Sequence, residues 1–289
     1  MAAPTLTIGM PVYNGATYVT EALESILAQT FRDFELIISD NASTDDTETI
    51  CRAFAARDPR VTYRRNAENV GLSANNNLLV PLARGRLFKW APHDDVLRPH
   101  YLERCVAALD ADPSVVLAYP QTDFVDGDGN PLDLTDPGWH LIMDDPSERL
   151  LVAIVADRYM NAILGVIRTD ALRRTRLLPR YAGGDDRLIA ELSLLGKFVE
   201  VPERLYVRRI HKGSTGGNRG NTKWLRAHWS GSRRGMSAPY WRLSRDRAGI
   251  VMRAPIPLSR KAVLLTMHAR TMRYGWRRLL RELVEPFRA

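Results

Sequence analysis

The sequence of 289 residues is poor in cysteine and has no long apolar segment. Its two cysteines, Cys51 and Cys105, each lie within a predicted helix and form no metal-ligand spacing, so we expect small core residues in a reducing compartment. No signal peptide is recognisable, and no run of about 18 uncharged apolar residues could span a bilayer. These absences predict a cytoplasmic protein.

Glycine-rich phosphate motifs are missing as well. The chain contains neither Gly-x-Gly-x-x-Gly nor a phosphate loop ending in Gly-Lys-Ser/Thr. Dinucleotide-binding proteins and ordinary ATPases use such loops because their backbone N–H groups must approach phosphates closely. The sequence therefore argues against both classes.

Acidic residues are scarce in one part of the chain. Residues 206–289 contain 20 Lys and Arg but only 3 Asp and Glu, whereas residues 1–205 contain 21 and 30. An acidic body with a charge of −9 thus carries a basic tail of +17, which together give the net charge of +8. Such a tail calls for an anionic partner.

Strands and helices alternate through the first half of the chain. We predict strands at residues 6–13, 35–40, 61–65, 86–90, 115–119 and 198–207. Helical spacing covers residues 18–29, 47–57, 72–83 and 99–111. Strands joined by helical crossovers predict an α/β protein with a mostly parallel sheet that helices cover on both faces.

Polar turns follow the first, second and fourth predicted strands. These turns contain Asn14, Asp40, and the adjacent carboxylates Asp94 and Asp95. The carboxyl ends of parallel strands meet at one edge, where such sheets bind ligands, so we expect these side chains to lie together. Two adjacent carboxylates suit a divalent cation such as Mn²⁺ or Mg²⁺, and that cation in turn suits a phosphorylated ligand. A solvated acidic turn without a ligand is the alternative.

The order and spacing of four motifs resemble glycosyltransferase family 2. They are Pro-Val-Tyr-Asn at 11–14, Ser-Asp-Asn-Ala-Ser-Thr-Asp-Asp-Thr at 39–47, Asn-Val-Gly at 69–71 and His-Asp-Asp at 93–95. The resemblance covers residues 4–215 and implies the nucleotide-sugar-binding glycosyltransferase A fold. It divides residues 1–215 into a donor half at about 1–120 and an acceptor half at about 121–215. Residues 216–289 form a separate, basic and mainly helical region.

The resemblance assigns the donor nucleotide to one set of residues: Pro11, Val12, Tyr13, Asn14, Asp40, Asn69, Gly71 and Asp94. Asp40 would accept a hydrogen bond from the nucleobase, and Asp94 would face the ribose or the sugar. Ordinary capping is the alternative for the turn residues Ser43 and Thr44.

The resemblance also implies a metal site at Asp95, where the metal would bridge the donor diphosphate. His93 stands where the family commonly has a third acidic residue, and a histidine can still ligate. The segment from Arg209 to Ser214 resembles the Arg-x-His-x-x-Ser segment of family members, in which the histidine, here His211, reaches the metal or the diphosphate. A surface histidine in a flexible loop is the alternative for His211.

A Gly-Gly-Asp-Asp segment at 183–186 matches the position of the family's catalytic base, which would be Asp186. Asp185 replaces the usual Glu, and helix capping is a second role open to it. Gly184 and Asp185 are candidates for the acceptor or sugar side. Trp139 is a third candidate there, since it lies in the stretch that usually shapes the acceptor side in the family.

The tail has tryptophans interleaved with arginines and ends in an amphipathic segment. Over residues 265–283, apolar residues including Leu265, Met272 and Trp276 share one predicted helical face, and arginines share the other. A basic amphipathic helix suits an anionic bilayer, so peripheral binding at the inner face of the cell membrane is one hypothesis. Packing on the catalytic domain is the other. No nucleic-acid recognition fold accompanies the charge.

The sequence thus predicts an inverting, metal-assisted glycosyltransferase that uses a UDP-, dTDP- or GDP-linked sugar. The acceptor would be a hydroxyl of a glycan or of a lipid-linked molecule, in glycan, polysaccharide or glycolipid biosynthesis. Two alternatives stay open. One is a nucleotide-sugar-binding protein without activity, and the other is a membrane- or nucleic-acid-associated protein that acts through its tail.

Overall fold

The computed structural model describes residues 3–155, 161–181, 183–215, 217–218, 228–229 and 238–284. Its strands are β1 (Leu6–Val12), β2 (Phe34–Asp40), β3 (Val61–Arg65), β4 (Leu87–Trp90), β5 (Val96–Leu97), β6 (Val115–Val125), β7 (Val166–Arg168) and β8 (Lys197–Arg209). The helices up to β8 are α1 (Val19–Leu27), α2 (Thr47–Arg57), α3 (Leu72–Leu79), α4 (Tyr101–Ala111), α5 (Pro146–Val155), α6 (Thr169–Arg173) and α7 (Gly184–Leu195). After β8 come α8 (Pro239–Arg253), α9 (Leu258–Tyr274) and α10 (Trp276–Val284).

The eight strands form one sheet in the order β3-β2-β1-β4-β7-β6-β8-β5. Neighbours from β3 to β4 are parallel, and β6 is parallel to β8. The short strand β7 lies antiparallel between β4 and β6, so β6 and β8 point in the same direction as β4. The predicted mostly parallel sheet is therefore confirmed, and the carboxyl ends of β1, β2, β4 and β8 share one edge.

Both faces of the sheet are covered, which explains why β1 and β2 are continuous buried runs without polar alternation. One core layer joins these strands to α1, α2 and α4, and it contains Cys51 and Cys105. Both cysteines are free and buried, and burial raises the pKa of each thiol to about 12. They are core residues, as expected.

The second core layer joins the other face of the sheet to α3, α5 and α7, and the basic tail contributes to it. Ile250 and Val251 of α8 and Leu264 of α9 are buried in the same cluster as Phe88 and Phe198 of the sheet. The tail therefore packs on the body as part of its core.

The predicted amphipathic helix at 265–283 is two helices, which meet at Gly275. Leu264 and His268 of α9 are buried and Leu265 packs against the core, so the apolar side of α9 faces the protein. For α9 the alternative of packing on the body is correct. The apolar residues of the predicted single helix are therefore divided between α9 and α10, on either side of Gly275. Trp224 lies outside the described residues, and Trp229 is buried.

The remaining differences from the predicted elements arise from strand pairing. Strand β6 continues to Val125 and β8 to Arg209 because they pair with each other over that length. The strands β5 and β7 have two and three residues, too few for a periodic pattern. No helix within the described residues is long and apolar enough to cross a membrane.

Candidate active site

The turns after β1 and β2 are bound to each other by side-chain hydrogen bonds. The Asn14 carboxamide oxygen accepts the N–H of Thr44 at 2.8 Å, and the Ser43 hydroxyl accepts the N–H of Asn14 at 2.9 Å. The Thr47 hydroxyl accepts the N–H of Gly15 at 2.8 Å. Asn14 has a φ of 50°, a conformation that asparagine tolerates better than most residues. Ser43 and Thr44 thus join two turns, a role beyond simple capping.

Pro11, Val12 and Tyr13 at the end of β1 differ in how far their side chains are exposed. Pro11 and Val12 are buried in the sheet, whereas the Tyr13 side chain is 39% exposed. Pro11 and Val12 would therefore shape a pocket mainly through the backbone. Tyr13 is the member of the motif whose ring is available for contact with a ligand.

Asp40, at the end of β2, is fully buried, and its carboxylate accepts hydrogen bonds from four donor groups of the protein. One oxygen accepts the N–H and the hydroxyl of Ser43, and the other accepts the Tyr63 hydroxyl at 2.6 Å and the Arg65 guanidinium at 2.8 Å. Burial and the Asp40 carboxylate raise the pKa of Tyr63, which keeps its hydroxyl a donor. A nucleobase N–H could reach Asp40 only if one of these donors moved.

Asn69 and Gly71 organise the loop between β3 and α3. The Asn69 carboxamide oxygen accepts hydrogen bonds from Asn41 and from the N–H of Gly71, both at 2.9 Å. Gly71 has a φ of 86°, which only glycine adopts without strain. Asn41 also accepts the N–H of Val70, so this loop is tied to the end of β2 at the carboxyl edge.

Asp95, the second member of the acidic pair, points into the protein toward β8. Its carboxylate accepts the Tyr206 hydroxyl and, at 2.9 Å, the N–H of Arg209. Burial and then the neighbouring Asp94 carboxylate raise the pKa of Asp95 above its usual range. Asp95 therefore ties the acidic turn to the end of β8.

Asp94 instead pairs with His211, which follows β8. The Nε2 atom of His211 lies 3.0 Å from the Asp94 carboxylate, and its Nδ1 atom accepts the N–H of Gly213 at 3.2 Å. That second bond leaves the proton on Nε2, so Nε2 donates to Asp94. The Tyr18 ring packs on the imidazole, with centroids 4.8 Å apart. Burial favours a higher pKa for Asp94, but the hydrogen bond from His211 and the adjacent imidazoles hold it below its usual range.

Two further histidines border the acidic turn. The His93 ring occupies the space beside Gly15, where an added Cβ would lie 2.4 Å from a ring carbon. Because a larger side chain at position 15 would clash with this ring, the residue after Asn14 is a glycine. His228, in the tail, lies within electrostatic range of His93 and Asp94, and burial together with the His93 charge lowers its pKa to about 4.

This geometry gives the two carboxylates of the acidic turn different partners. Both Asp95 oxygens accept hydrogen bonds from β8, whereas the Asp94 carboxylate contacts the imidazole of His211. Among the described residues no group of three or more metal-ligating side chains is already assembled. A carboxylate with an imidazole fits Mn²⁺ better than Mg²⁺, which prefers oxygen ligands throughout. Which of the two carboxylates binds a metal stays a prediction.

The Gly-Gly-Asp-Asp segment forms the first turn of α7, next to the loop edge of α3. Ser73, at the start of α3, donates to the carbonyl of Pro179 at 2.7 Å, and Gly184 packs so tightly on Pro179 that an added Cβ would clash at 2.4 Å. Gly184 is thus required for packing. Asp185 is half-buried, and the Asp186 carboxylate accepts a hydrogen bond at 3.1 Å from Arg247 of α8.

Trp139 does not face a ligand. Its side chain is fully buried in the core layer with Tyr119, whose hydroxyl accepts the N–H of Trp139. The expectation that Trp139 lies on the acceptor side is not met, because its ring is fully buried in this core layer.

Several residues that build the site were not identified in the sequence, namely Tyr18, Tyr63, Arg65, Tyr206, His228 and Arg247. Tyr63 and Arg65 lie two positions apart on β3, so their common face was a readable signal. Tyr206 and Arg247 act through contacts between distant parts of the chain, which no local pattern reveals.

A family model described as "Glycosyl transferase family 2" matches residues 7–169. An uncharacterized glycosyltransferase of Rickettsia prowazekii is 34% identical over 125 residues, which are 43% of this chain and 38% of that protein. The chondroitin synthase of Escherichia coli is 35% identical over 127 residues, 44% of this chain and 18% of that protein. The chain therefore spans less than half the length of these relatives.

Solved structures share the fold. TarS 1–349 of S. aureus, in complex with UDP-GlcNAc, has a TM-score of 0.70 at 18% identity and covers 93% of this chain and 72% of that one. The mannosyltransferase PcManGT of Pyrobaculum calidifontis, in complex with GDP-Man and Mn²⁺, has a TM-score of 0.56 at 19% identity, covering 100% and 83%. At these identities the likeness concerns the fold alone, which is of the glycosyltransferase A type.

Proposed function

This chain belongs to glycosyl transferase family 2, and from that premise we propose that it transfers a sugar from a nucleoside diphosphate donor to an acceptor hydroxyl. The observation that carries the proposal is the pairing of Asp94 with His211 at the edge where β1, β2, β4 and β8 end. In α/β sheets this edge is where ligands bind. The nucleotide sugars bound by TarS and PcManGT, which share the fold, support the same donor class.

The donor nucleotide would lie over the turns that follow β1 and β2. Tyr13 offers an exposed ring there, while Asn14, Asn69 and Gly71 hold the surrounding loops in shape. Asp40 would act on the base chiefly by fixing Tyr63 and Arg65, since its own oxygens are engaged. UDP-, dTDP- and GDP-linked sugars are the candidate donors.

A divalent cation, Mn²⁺ in the first place, would be held by Asp94 and His211, and His211 would first give up the Nε2 proton that it donates to Asp94. Asp95 would support this site through the acidic turn, and His93 would border it. When bound, the cation would neutralise charge on the donor diphosphate as it departs. The PcManGT structure contains Mn²⁺ with its nucleotide sugar, which supports this choice of ion.

Asp186 is the proposed general base of a single in-line displacement. The acceptor O–H bond breaks, and its proton moves to the Asp186 carboxylate as the oxygen bonds to the anomeric carbon. The bond from that carbon to the diphosphate breaks on the opposite side, and its electron pair leaves with the diphosphate. Such a step inverts the configuration. An unperturbed aspartate with a pKa of about 3.9 is a weak base, so positioning must contribute much of the rate.

The acceptor would be a glycan or a lipid-linked molecule at an anionic membrane surface, in glycan, polysaccharide or glycolipid biosynthesis. Trp276 and Leu280 of α10 are about half exposed, at 51% and 48%, in the most basic region of the chain. An interfacial tryptophan with nearby arginines favours anionic lipid headgroups. Co-sedimentation with phosphatidylserine vesicles should exceed that with phosphatidylcholine vesicles, and Trp276→Ala with Leu280→Ala should reduce it. Equal binding to both vesicle types would contradict this location.

The proposed function can be tested by calorimetric titration with UDP, dTDP and GDP, each with Mn²⁺ and with EDTA. One nucleotide should bind in a metal-dependent manner, and the corresponding nucleotide sugar should release that nucleoside diphosphate on turnover. Asp186→Asn should abolish release while keeping nucleotide binding. Asp170→Asn, at an exposed aspartate in the first turn of α6, is the matched control and should retain turnover. Absence of binding for all three nucleotides would overturn the donor site, and turnover by Asp186→Asn would overturn the base.

A further inference from the structure

Helix α8 of the basic tail contacts the first turn of α7 through two consecutive charged residues. Asp246 accepts the Tyr181 hydroxyl at 2.7 Å and lies 3.3 Å from the Arg187 guanidinium. Arg247 donates to the Asp186 carboxylate at 3.1 Å. The two contacts bracket the Gly-Gly-Asp-Asp turn, so α8 is fastened to this turn by a pair of opposite charges.

The pair formed by Arg247 and Asp186 is largely shielded from water. The Arg247 side chain is 14% exposed and that of Asp186 is 19% exposed. A shielded pair of opposite charges holds its geometry more firmly than a surface pair, which water and salt screen. The Nε–H of Arg247 has no acceptor among the described residues, and the guanidinium is paired with the Asp186 carboxylate.

The contact engages one carboxylate oxygen, and the other oxygen lies beside a glycine. Arg247 bonds to Oδ1 of Asp186, whereas Oδ2 lies beside Gly183, 3.5 Å from where a Cβ would be. Gly183 has a φ of 80°, a conformation that favours glycine. The charged hydrogen bond from the guanidinium to Oδ1 therefore contributes to the orientation of the carboxylate.

We propose that Arg247 is a positioning residue for Asp186 and that helix α8 of the tail is part of the catalytic unit. This inference rests on the proposed function, because it requires Asp186 to be the general base. A base with a low intrinsic pKa depends on its orientation toward the acceptor hydroxyl. Loss of the guanidinium removes this orienting contact, so it should slow the transfer step and leave the donor site intact.

The test compares Arg247→Gln and Arg247→Lys with wild type by nucleoside diphosphate release from the donor that binds, with water as the acceptor. Arg247→Gln should lower kcat by roughly tenfold to a hundredfold, the scale of a misoriented catalytic group. The KM for the donor and the calorimetric affinity for its nucleoside diphosphate should stay unchanged. Arg247→Lys, which keeps the charge, should restore part of kcat. Arg245→Gln, on an exposed arginine of the same helix, is the control and should behave as wild type.

Thermal unfolding of each variant separates positioning from folding. If Arg247→Gln lowers the melting temperature, the decision falls to Arg247→Lys, provided that its melting temperature equals that of wild type. A partial kcat in Arg247→Lys then reflects only the changed hydrogen bond to Asp186. An unchanged kcat in Arg247→Gln, or a change confined to KM, would overturn the positioning role. A wild-type protein that releases no nucleoside diphosphate from any donor would instead overturn the proposed function, and this inference with it.

Discussion

Asp94 and Asp95 have the same side chain and adjacent positions, but their surroundings differ. Asp95 is held by Tyr206 and by the backbone of Arg209, whereas Asp94 meets the imidazole of His211. The difference arises because Asp94 lies within the turn and Asp95 follows it, just before β5, so the two side chains reach different neighbours. One carboxylate therefore anchors the turn and the other is available to a ligand.

Substitution of these two residues should have different effects. Asp94→Ala should abolish Mn²⁺-dependent nucleotide binding in calorimetry and change the melting temperature little. Asp95→Ala should lower the free energy of unfolding by about 1–3 kcal/mol, because it leaves buried donors of β8 without an acceptor. Asp94→Asn provides a variant of equal size. Metal-dependent binding that survives Asp94→Ala would return the ligand role to Asp95.

Lys89 on β4 is a buried cation below the acidic turn. Its ammonium donates to the Tyr101 hydroxyl at 3.0 Å and to the carbonyl of Leu164, and burial lowers its pKa from 10.5 to about 7. The folded protein therefore binds fewer protons at this residue than the unfolded chain does between pH 7 and 10.5. Lys89 therefore lowers the free energy of unfolding at low pH, and this effect disappears as the pH rises through that window.

Lys89 thus predicts a pH dependence of stability. Wild type should gain stability relative to Lys89→Met as the pH rises from about 7 to 9, by up to about 1.4 kcal/mol per pH unit. Urea unfolding of both proteins at several pH values measures the difference. Lys212→Met, at an exposed lysine, should follow the wild-type curve. Parallel curves for wild type and Lys89→Met would show that Lys89 keeps an ordinary pKa in the folded protein.

At the scale of elements, helices and strands formed where local patterns predicted them, and their ends were decided by neighbours. Helix α2 and strand β3 have their predicted bounds because a polar turn closes each of them. Helix α3 ends at Leu79, four residues before the predicted end at 83, and β8 extends two residues beyond its prediction because it pairs with β6. Pairing partners are not visible in a local pattern.

The tail helices show the same dependence on neighbours. The first N–H groups of α8 find their acceptor on α10, where buried Glu282 accepts from Tyr240 at 3.0 and 3.1 Å and from Trp241 at 3.3 Å. A carboxylate at a helix N-terminus satisfies orphan donors and interacts favourably with the helix dipole. Glu282 of α10 thus caps the N-terminus of α8 and joins the two helices.

Glu282→Gln should therefore destabilise the tail. We expect the free energy of unfolding to fall by about 1 kcal/mol, the usual value of an N-terminal cap, and more with Glu282→Ala. Chemical denaturation measures the change. Glu203→Gln is the control, since Glu203 is exposed and its surface pair with Arg104 should contribute little. Equal stability of Glu282→Gln and wild type would contradict a capping role.

At the scale of the whole molecule, the tail belongs to the body despite its charge. Buried apolar residues of α8 and α9 complete the core layer of α5 and α7, while the basic side chains of these helices other than Arg247 and Lys261 are exposed. The sequence boundary at residue 215 follows a change in composition. It does not mark the end of the hydrophobic core.

A chain that ends at residue 215 should accordingly be unstable. It would expose the surface that Ile250, Val251 and Leu264 cover, and each such side chain contributes about 1.5–3 kcal/mol by burial. We expect a lower melting temperature or aggregation in differential scanning fluorimetry, together with loss of turnover. A chain that ends at Val284 is the control. Full stability and turnover of the shorter chain would make the tail an accessory.

The sequence by itself determined the fold class, the edge of the sheet that carries the site, and the motifs of family 2. These features depend on local periodicity and on turn residues, which can be read along the chain. Tertiary structure alone decided that Asp94 rather than Asp95 meets His211, that Trp139 is a core residue, and that Arg247 meets Asp186. Each of these contacts joins segments far apart in the chain, and only packing sets which side chains meet.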